Sequence, residues 1–132
     1  MARILTPIVA GIVVLMFAAN PGMAGKPAAD LSQCVDLRLE VIPLANGGFL
    51  LRQEVRESCK RAALYADMIL AVDGVTVAQG AVAGTSLAVL EAEIPPQTHA
   101  FRTDALVDGD ILAGRNSQPI QGDAWQVTQP QP

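Results

Sequence analysis

Histidine is almost missing from this chain. His99 is the single one among 132 residues, and it follows the Pro95-Pro96 corner, where a surface loop is its expected setting. With one histidine, and with no His, Cys, Asp and Glu group at metal-ligand spacing, no metal site is predicted. Asp108, Gly109 and Asp110 bring two carboxylates together, but two carboxylates in a tight hairpin make an incomplete calcium site. Gly84-Thr85-Ser86 lacks the second glycine and the strand-to-helix setting of a nucleophile elbow. No catalytic residue and no cofactor are therefore predicted, and the chain is not expected to be an enzyme. Basic residues are also scarce, with nine Lys and Arg against thirteen Asp and Glu. A field of that sign repels phosphate and argues against nucleic acid or an anionic membrane as partner.

A hydrophobic run long enough to stay in a membrane is lacking as well. The apolar stretch from Ile8 to Ala19 is shorter than the ~20 residues a spanning helix needs, and Pro7 interrupts it near its start. Arg3 precedes it and Gly22-Met23-Ala24 follows it, with small residues at both cleavage-recognition positions. This is the layout of a secretory signal peptide over residues 1–24, with Gly25 as the first mature residue. A lipoprotein would need a cysteine directly after the cut, and Cys34 lies too far on. The exported chain is expected in the periplasm, the extracellular space being the other open destination, with no membrane association once the leader is gone. Losing Arg3 leaves eight basic against thirteen acidic residues.

What remains reads as a small β protein. Residues 25–33 are small and polar, a flexible lead-in. From Cys34, Val35, Leu37, Leu39 and Val41 alternate with Asp36, Arg38 and Glu40, the pattern of a half-buried strand. Phe49, Leu51, Val55 and Cys59 repeat that period beyond Ala45-Asn46-Gly47-Gly48. A three-residue loop of Ala45, Asn46 and Gly47 places glycine where a left-handed conformation is required and sets Leu44 opposite Gly48. In that register Glu40 stands beside Arg52, Arg38 beside Glu54 and Asp36 beside Arg56. A slide by two residues sets Glu40 against Glu54 and Arg38 against Arg56. Cross-strand pairs are each worth ~0.2–1 kcal/mol, so charge selects the first register.

Cys34 faces Ser58 in this register, so the two cysteines are close but point to opposite sides. A Cys34–Cys59 disulfide then needs a bulge or a frayed strand end, and contributes about 3 kcal/mol if formed. The alternative is a buried Cys59 and a free surface thiol at Cys34. Lys60 to Ala71 suits a helix or a strand, and the Val72-Asp73-Gly74-Val75 hairpin signal decides for a strand, pairing Val72 with Val75 and Leu70 with Val77. Gly80 to Gly84 reads as a flexible joint and Leu87 to Ile94 as a strand. Phe101–Val107 and Ile111–Ala113 flank Asp108-Gly109, a third hairpin signal. About seven short strands at close spacing predict an all-β, immunoglobulin-like antiparallel sandwich over residues 34–115. Val35, Leu37, Leu39, Val41, Leu51, Val55, Leu70, Val72, Val75 and Val77 are expected to supply much of its core. Residues 116–132 read as a disordered polar tail with a loosely packed Trp125.

A glycine turn, a strand ending in EVRESCKRA, a second apolar strand and a late VDGDILAGR together resemble the curli-assembly chaperones of the CsgC/CsgH type over most of Cys34 to Arg115. The resemblance implies a small periplasmic immunoglobulin-like domain that restrains amyloid formation by secreted subunits. Some members carry two cysteines one residue apart. Cys59 matches the first, and Arg61 stands in place of the second, so no local dithiol is present. The family's charged strand face matches Arg52 and Arg56, and Lys60 and Arg61 extend it, making these four the candidate client-binding residues. Amyloid-prone secreted subunits are then the expected partners of a monomer. The other reading is a non-catalytic structural or adhesive sandwich module in an envelope assembly.

Overall fold

A computed structural model describes Val13–Met16, for which only the backbone enters, and residues 31–132. Strands dominate. β1 is Val13–Met16, β2 Val35–Pro43, β3 Phe49–Glu57, β4 Ala62–Val72, β5 Val75–Thr85, β6 Leu87–Ile94, β7 Phe101–Ala113 and β8 Asn116–Thr128, with one turn of 3-10 helix at Leu31–Cys34. All pairings are antiparallel. The smaller sheet has the order β2-β3-β6 and the larger β1-β8-β7-β4-β5.

The two sheets close on the apolar half of each alternating strand. Leu37 and Val41 of β2 and Phe49, Leu51 and Val55 of β3 meet Leu64, Met68 and Leu70 of β4, Val107 and Ile111 of β7, and Ile120 of β8. Phe49 and Phe101 meet edge to face, with ring centroids 5.0 Å apart, a geometry worth about 0.5–1.5 kcal/mol beyond the area buried. One polar side chain crosses this core: Gln53 is fully buried on β3, and its Nε2 donates to the Leu106 carbonyl at 2.9 Å. That bond ties the two sheets together through a group that would be costly to bury alone.

The β2–β3 hairpin has the register that charge and turn geometry predict. Leu37 pairs with Val55, Val41 with Leu51, Glu40 with Arg52, Arg38 with Glu54 and Asp36 with Arg56. The Leu44 amide donates to the Gly48 carbonyl at 2.9 Å, and Gly47 takes φ +91°, a conformation open to glycine without penalty. The cysteines resolve on the same grounds. The Ser58 amide donates to the Cys34 carbonyl, as the register requires, and the ladder ends with Val35 opposite Glu57. Both cysteines thus lie just past their strands, where the backbone is free of pleat alternation. They form the Cys34–Cys59 disulfide, Cα to Cα 5.3 Å.

Several expectations need correction. Asp108-Gly109 is not a hairpin: β7 runs straight through it, because Gly109 serves close packing against the β4 backbone. The turn falls instead at Gly114-Arg115, with Gly114 at φ +64° and Ala113 opposite Asn116. Residues 116–128 are consequently strand β8, so the sandwich extends past 115. Gln118, Ile120, Ala124, Gln126 and Thr128 face inward and are buried. Polar composition disguised this strand, yet its alternate residues fill the core and its backbone pairs along all thirteen positions of β7. Even Gln131 is engaged, its Nε2 donating to the carbonyls of Leu44 and Gly48 at 3.1 and 2.8 Å. Trp125 is held as well, under the Arg102 guanidinium at 4.4 Å.

The lead-in is partly structured. Leu31 is buried, and its amide donates to Gln118 Oε1 at 2.8 Å. Residues 25–30 lie outside the described residues. So does most of the proposed leader, of which only Val13–Met16 are described, as the strand beside β8. The segment read as a joint, Gly80 to Gly84, continues β5, and the chain passes to β6 of the other sheet through Ser86 alone. Val72 does pair with Val75, but a register shift between Leu70 and Ala71 sets Leu70 against Ala78 rather than Val77. That one-residue slip turns side chains to the other face. Val77, left over by that slip, is exposed at 39%, and Val75, still opposite the half-buried Val72 at the hairpin end, at 66%.

Candidate functional site

β3 lies in the middle of the smaller sheet, between β2 and β6, and alternation sends Arg52, Glu54 and Arg56 to its outer face. Arg52 stands opposite Glu40 on one side and Glu91 on the other. It closes on Glu91 at 2.8 Å and on Glu54 at 3.2 Å. The hydrogen bond it donates to Glu54 and the charge of Glu91 hold the guanidinium above its ordinary range, against the opposing effect of desolvation. Arg52 is therefore already spent within its own sheet. Arg56 is freer: its side chain is 61% exposed and its contact with Glu54 is 3.9 Å. A shallow recess between β2 and β3 is lined by Asp36, Arg38, Glu54 and Arg56, two charges of each sign.

Lys60 and Arg61 are fully in the turn between β3 and β4, exposed, and no ion pair holds either among the described residues. Arg61 adopts φ +56°, a left-handed conformation that turns the chain from the disulfide at Cys59 into β4. The structure brings Arg56, Lys60 and Arg61 to one end of the sandwich and leaves Arg52 near the middle of the neutralised face. A fourth cation joins that end. Ala62, directly after Arg61, pairs with Ala113, so exposed Arg115 in the β7–β8 turn lies beside the β3–β4 turn. Sequence reasoning missed Arg115 because it placed the hairpin at Asp108-Gly109. Reading Ala113-Gly114-Arg115-Asn116 as the turn would have found it.

The three turn cations, Lys60, Arg61 and Arg115, differ in kind from the strand-face charges: those are matched across strands, as Arg56 is with Asp36 opposite and Glu54 at 3.9 Å, whereas no ion pair holds the turn cations among the described residues. This end can attract a carboxylate-bearing segment over a Debye length of ~10 Å at 0.1 M salt. Among the described residues no group of three or more His, Cys, Asp or Glu could hold a metal ion, and no helix is long and apolar enough to cross a membrane. The disulfide fits a non-cytoplasmic, oxidising compartment.

No protein-family model, curated protein or solved structure matches the chain.

Proposed function

We propose that this chain is a periplasmic chaperone that binds secreted, curli-like amyloid subunits and restrains premature fibre formation. The observation that carries the proposal is the cluster of Arg56, Lys60, Arg61 and Arg115 at the disulfide-pinned end of an otherwise acidic protein, in which only Arg56 has an acidic partner among the described residues, Glu54 at 3.9 Å. The resemblance to the curli chaperones supports the same reading. So does the strand order: the first, second and fifth strands after residue 34 form one sheet, and the seventh, sixth, third and fourth form the other. That arrangement supports an immunoglobulin-like description.

The mechanism follows from charge and geometry. A chaperone acting on many growing subunits must bind weakly and release, because a tight complex only sequesters its own number of clients. An exposed cationic end on a rigid scaffold raises encounter rates with acidic client segments more than it deepens affinity. The ion pairs of Arg52 with Glu91 and Glu54 support reading the client surface at this end rather than on the β3 face. Replacing Arg56, Lys60 and Arg61 together by glutamate is expected to abolish inhibition of curli-type fibril growth while the circular dichroism of the folded sandwich is kept. An adhesive or scaffolding module predicts no inhibition by the parent protein at all. Retained inhibition by the folded triple variant would exclude this surface.

A further inference from the structure

In the larger sheet the outer edge of β8 carries β1. Val13–Met16 lie antiparallel along it, Val13 opposite Ala124, Val14 opposite Asp123, Leu15 opposite Gly122 and Met16 opposite Gln121. These four uncharged apolar residues belong to the segment read as a removable leader. We infer that the β8 edge over Gln121–Ala124 is a strand acceptor, which takes an extended, uncharged, apolar segment of a client polypeptide once the leader is gone. This rests on the reading of the chain as an exported chaperone, and it adds to the cationic end a second contact of different chemistry.

The edge is built for a short guest. Pro119 closes one side of the window, since it has no N–H to offer a neighbouring strand. On the other side Trp125 is stacked under Arg102. Between them Gly122 carries no side chain, and the outer surface next to the edge is an apolar depression lined by Ile69, Leu106, Val107, Gln121, Gly122 and Asp123. Ile69 pairs with Leu106 and Leu106 with Asp123, so a guest residue opposite Asp123 continues that cross-strand row. Main-chain hydrogen bonds then supply affinity and the row supplies selectivity, the usual division in strand addition.

Asp123 adds a preference. Its Oδ1 is buried and has no hydrogen-bond partner, so the valine of the leader segment opposite it leaves an acceptor empty. A guest with a glutamine at that position supplies the missing donor. Such a guest outbinds the leader sequence, which suits exchange of an internal placeholder for a Gln-containing client. Among the described residues the buried apolar core lies between Leu31 and Ala124 and β1 pairs with β8 alone, so loss of β1 uncovers this edge. The opposite edge, β5, is also uncharged over eleven residues, but among the described residues no strand is seated on it.

The test uses the protein recovered after export, its N-terminus read by mass spectrometry, and the peptides KKVVLMKK and KKVQLMKK. Amide hydrogen exchange is expected to slow at least tenfold at the outward-facing amides of Gln121–Ala124 when either peptide is added, with the glutamine peptide effective at lower concentration. A backbone N-methylated KKVVLMKK should give no protection. Protection at Val75–Thr85 instead, equal effects of the N-methylated peptide, or a leader retained in the exported protein would each overturn the inference. Saturating the edge with peptide while scoring fibril inhibition separates the two proposals. Inhibition retained by the protein when exchange shows no peptide at β8 refutes the acceptor and leaves the cationic end standing, whereas protection without any inhibition refutes the chaperone reading.

Discussion

Gly109 lies so close to Ala66 on the neighbouring strand that a Cβ added to it would meet the Tyr65 carbonyl and sit 2.5 Å from the Ala66 Cα. A glycine that resembles a turn signal therefore holds two central strands together. Gly109→Ala should push β7 away from β4 and destabilise the fold by about 2–3 kcal/mol, as overpacking of a rigid interior does. Urea denaturation of the purified variant checks this. A midpoint equal to the parent's would show that the strands separate freely at this point.

The Cys34–Cys59 bond spans 25 positions and restrains the unfolded chain accordingly. Reduction, or Cys34→Ser with Cys59→Ser, should cost about 3 kcal/mol in the chain-entropy description. Mass spectrometry of the unreduced exported protein should find the two peptides linked, and two alkylatable thiols would contradict the structure.

The parts legible in the sequence were those in which local signals agree. The β2–β3 hairpin had alternation, a glycine turn and three charge pairs all selecting one register, and that register is present. β8 was illegible for the opposite reason. Asn116 to Thr128 has the composition of a tail, and its inward positions include Gln118 and Gln126, buried polar residues whose place is set by the strands around them. The error at Asp108-Gly109 had the same root, since glycine marks both turns and close backbone contacts, and only the tertiary neighbour distinguishes them. Of the candidate site, Arg56, Lys60 and Arg61 could be named from the charged strand face that the resemblance implies and its extension. Arg115 could not, because its proximity depends on the β4–β7 pairing.

Burial pushes the Asp123 carboxyl up, the charge of Asp104 adds to this, and Arg102 partly opposes it. A carboxyl raised above its unfolded value binds more protons in the native state, so stability falls as pH rises from 3.8 through the raised value. Asp123→Asn should therefore raise the thermal midpoint at pH 7, and the gain should fade as the pH is lowered below 3.8. A variant less stable than the parent at pH 7 would contradict this sign.

Arg61 pays for its left-handed backbone at φ +56°. Arg61→Gly should stabilise the domain by roughly 0.5–1 kcal/mol by relieving that conformation, while weakening inhibition of fibril growth through the lost charge. The two readouts move in opposite directions, which a purely structural role for Arg61 does not predict. Thermal melts and fibrillation assays on one preparation decide it.

The most direct measurement is the growth of a curli-type amyloid subunit, followed by a fibril-binding dye, in the presence of the exported protein at one part in a hundred or fewer. The chaperone account predicts a clear lengthening of the lag at this ratio, diminishing as salt is raised. An unchanged lag at every ratio up to equimolar would contradict it.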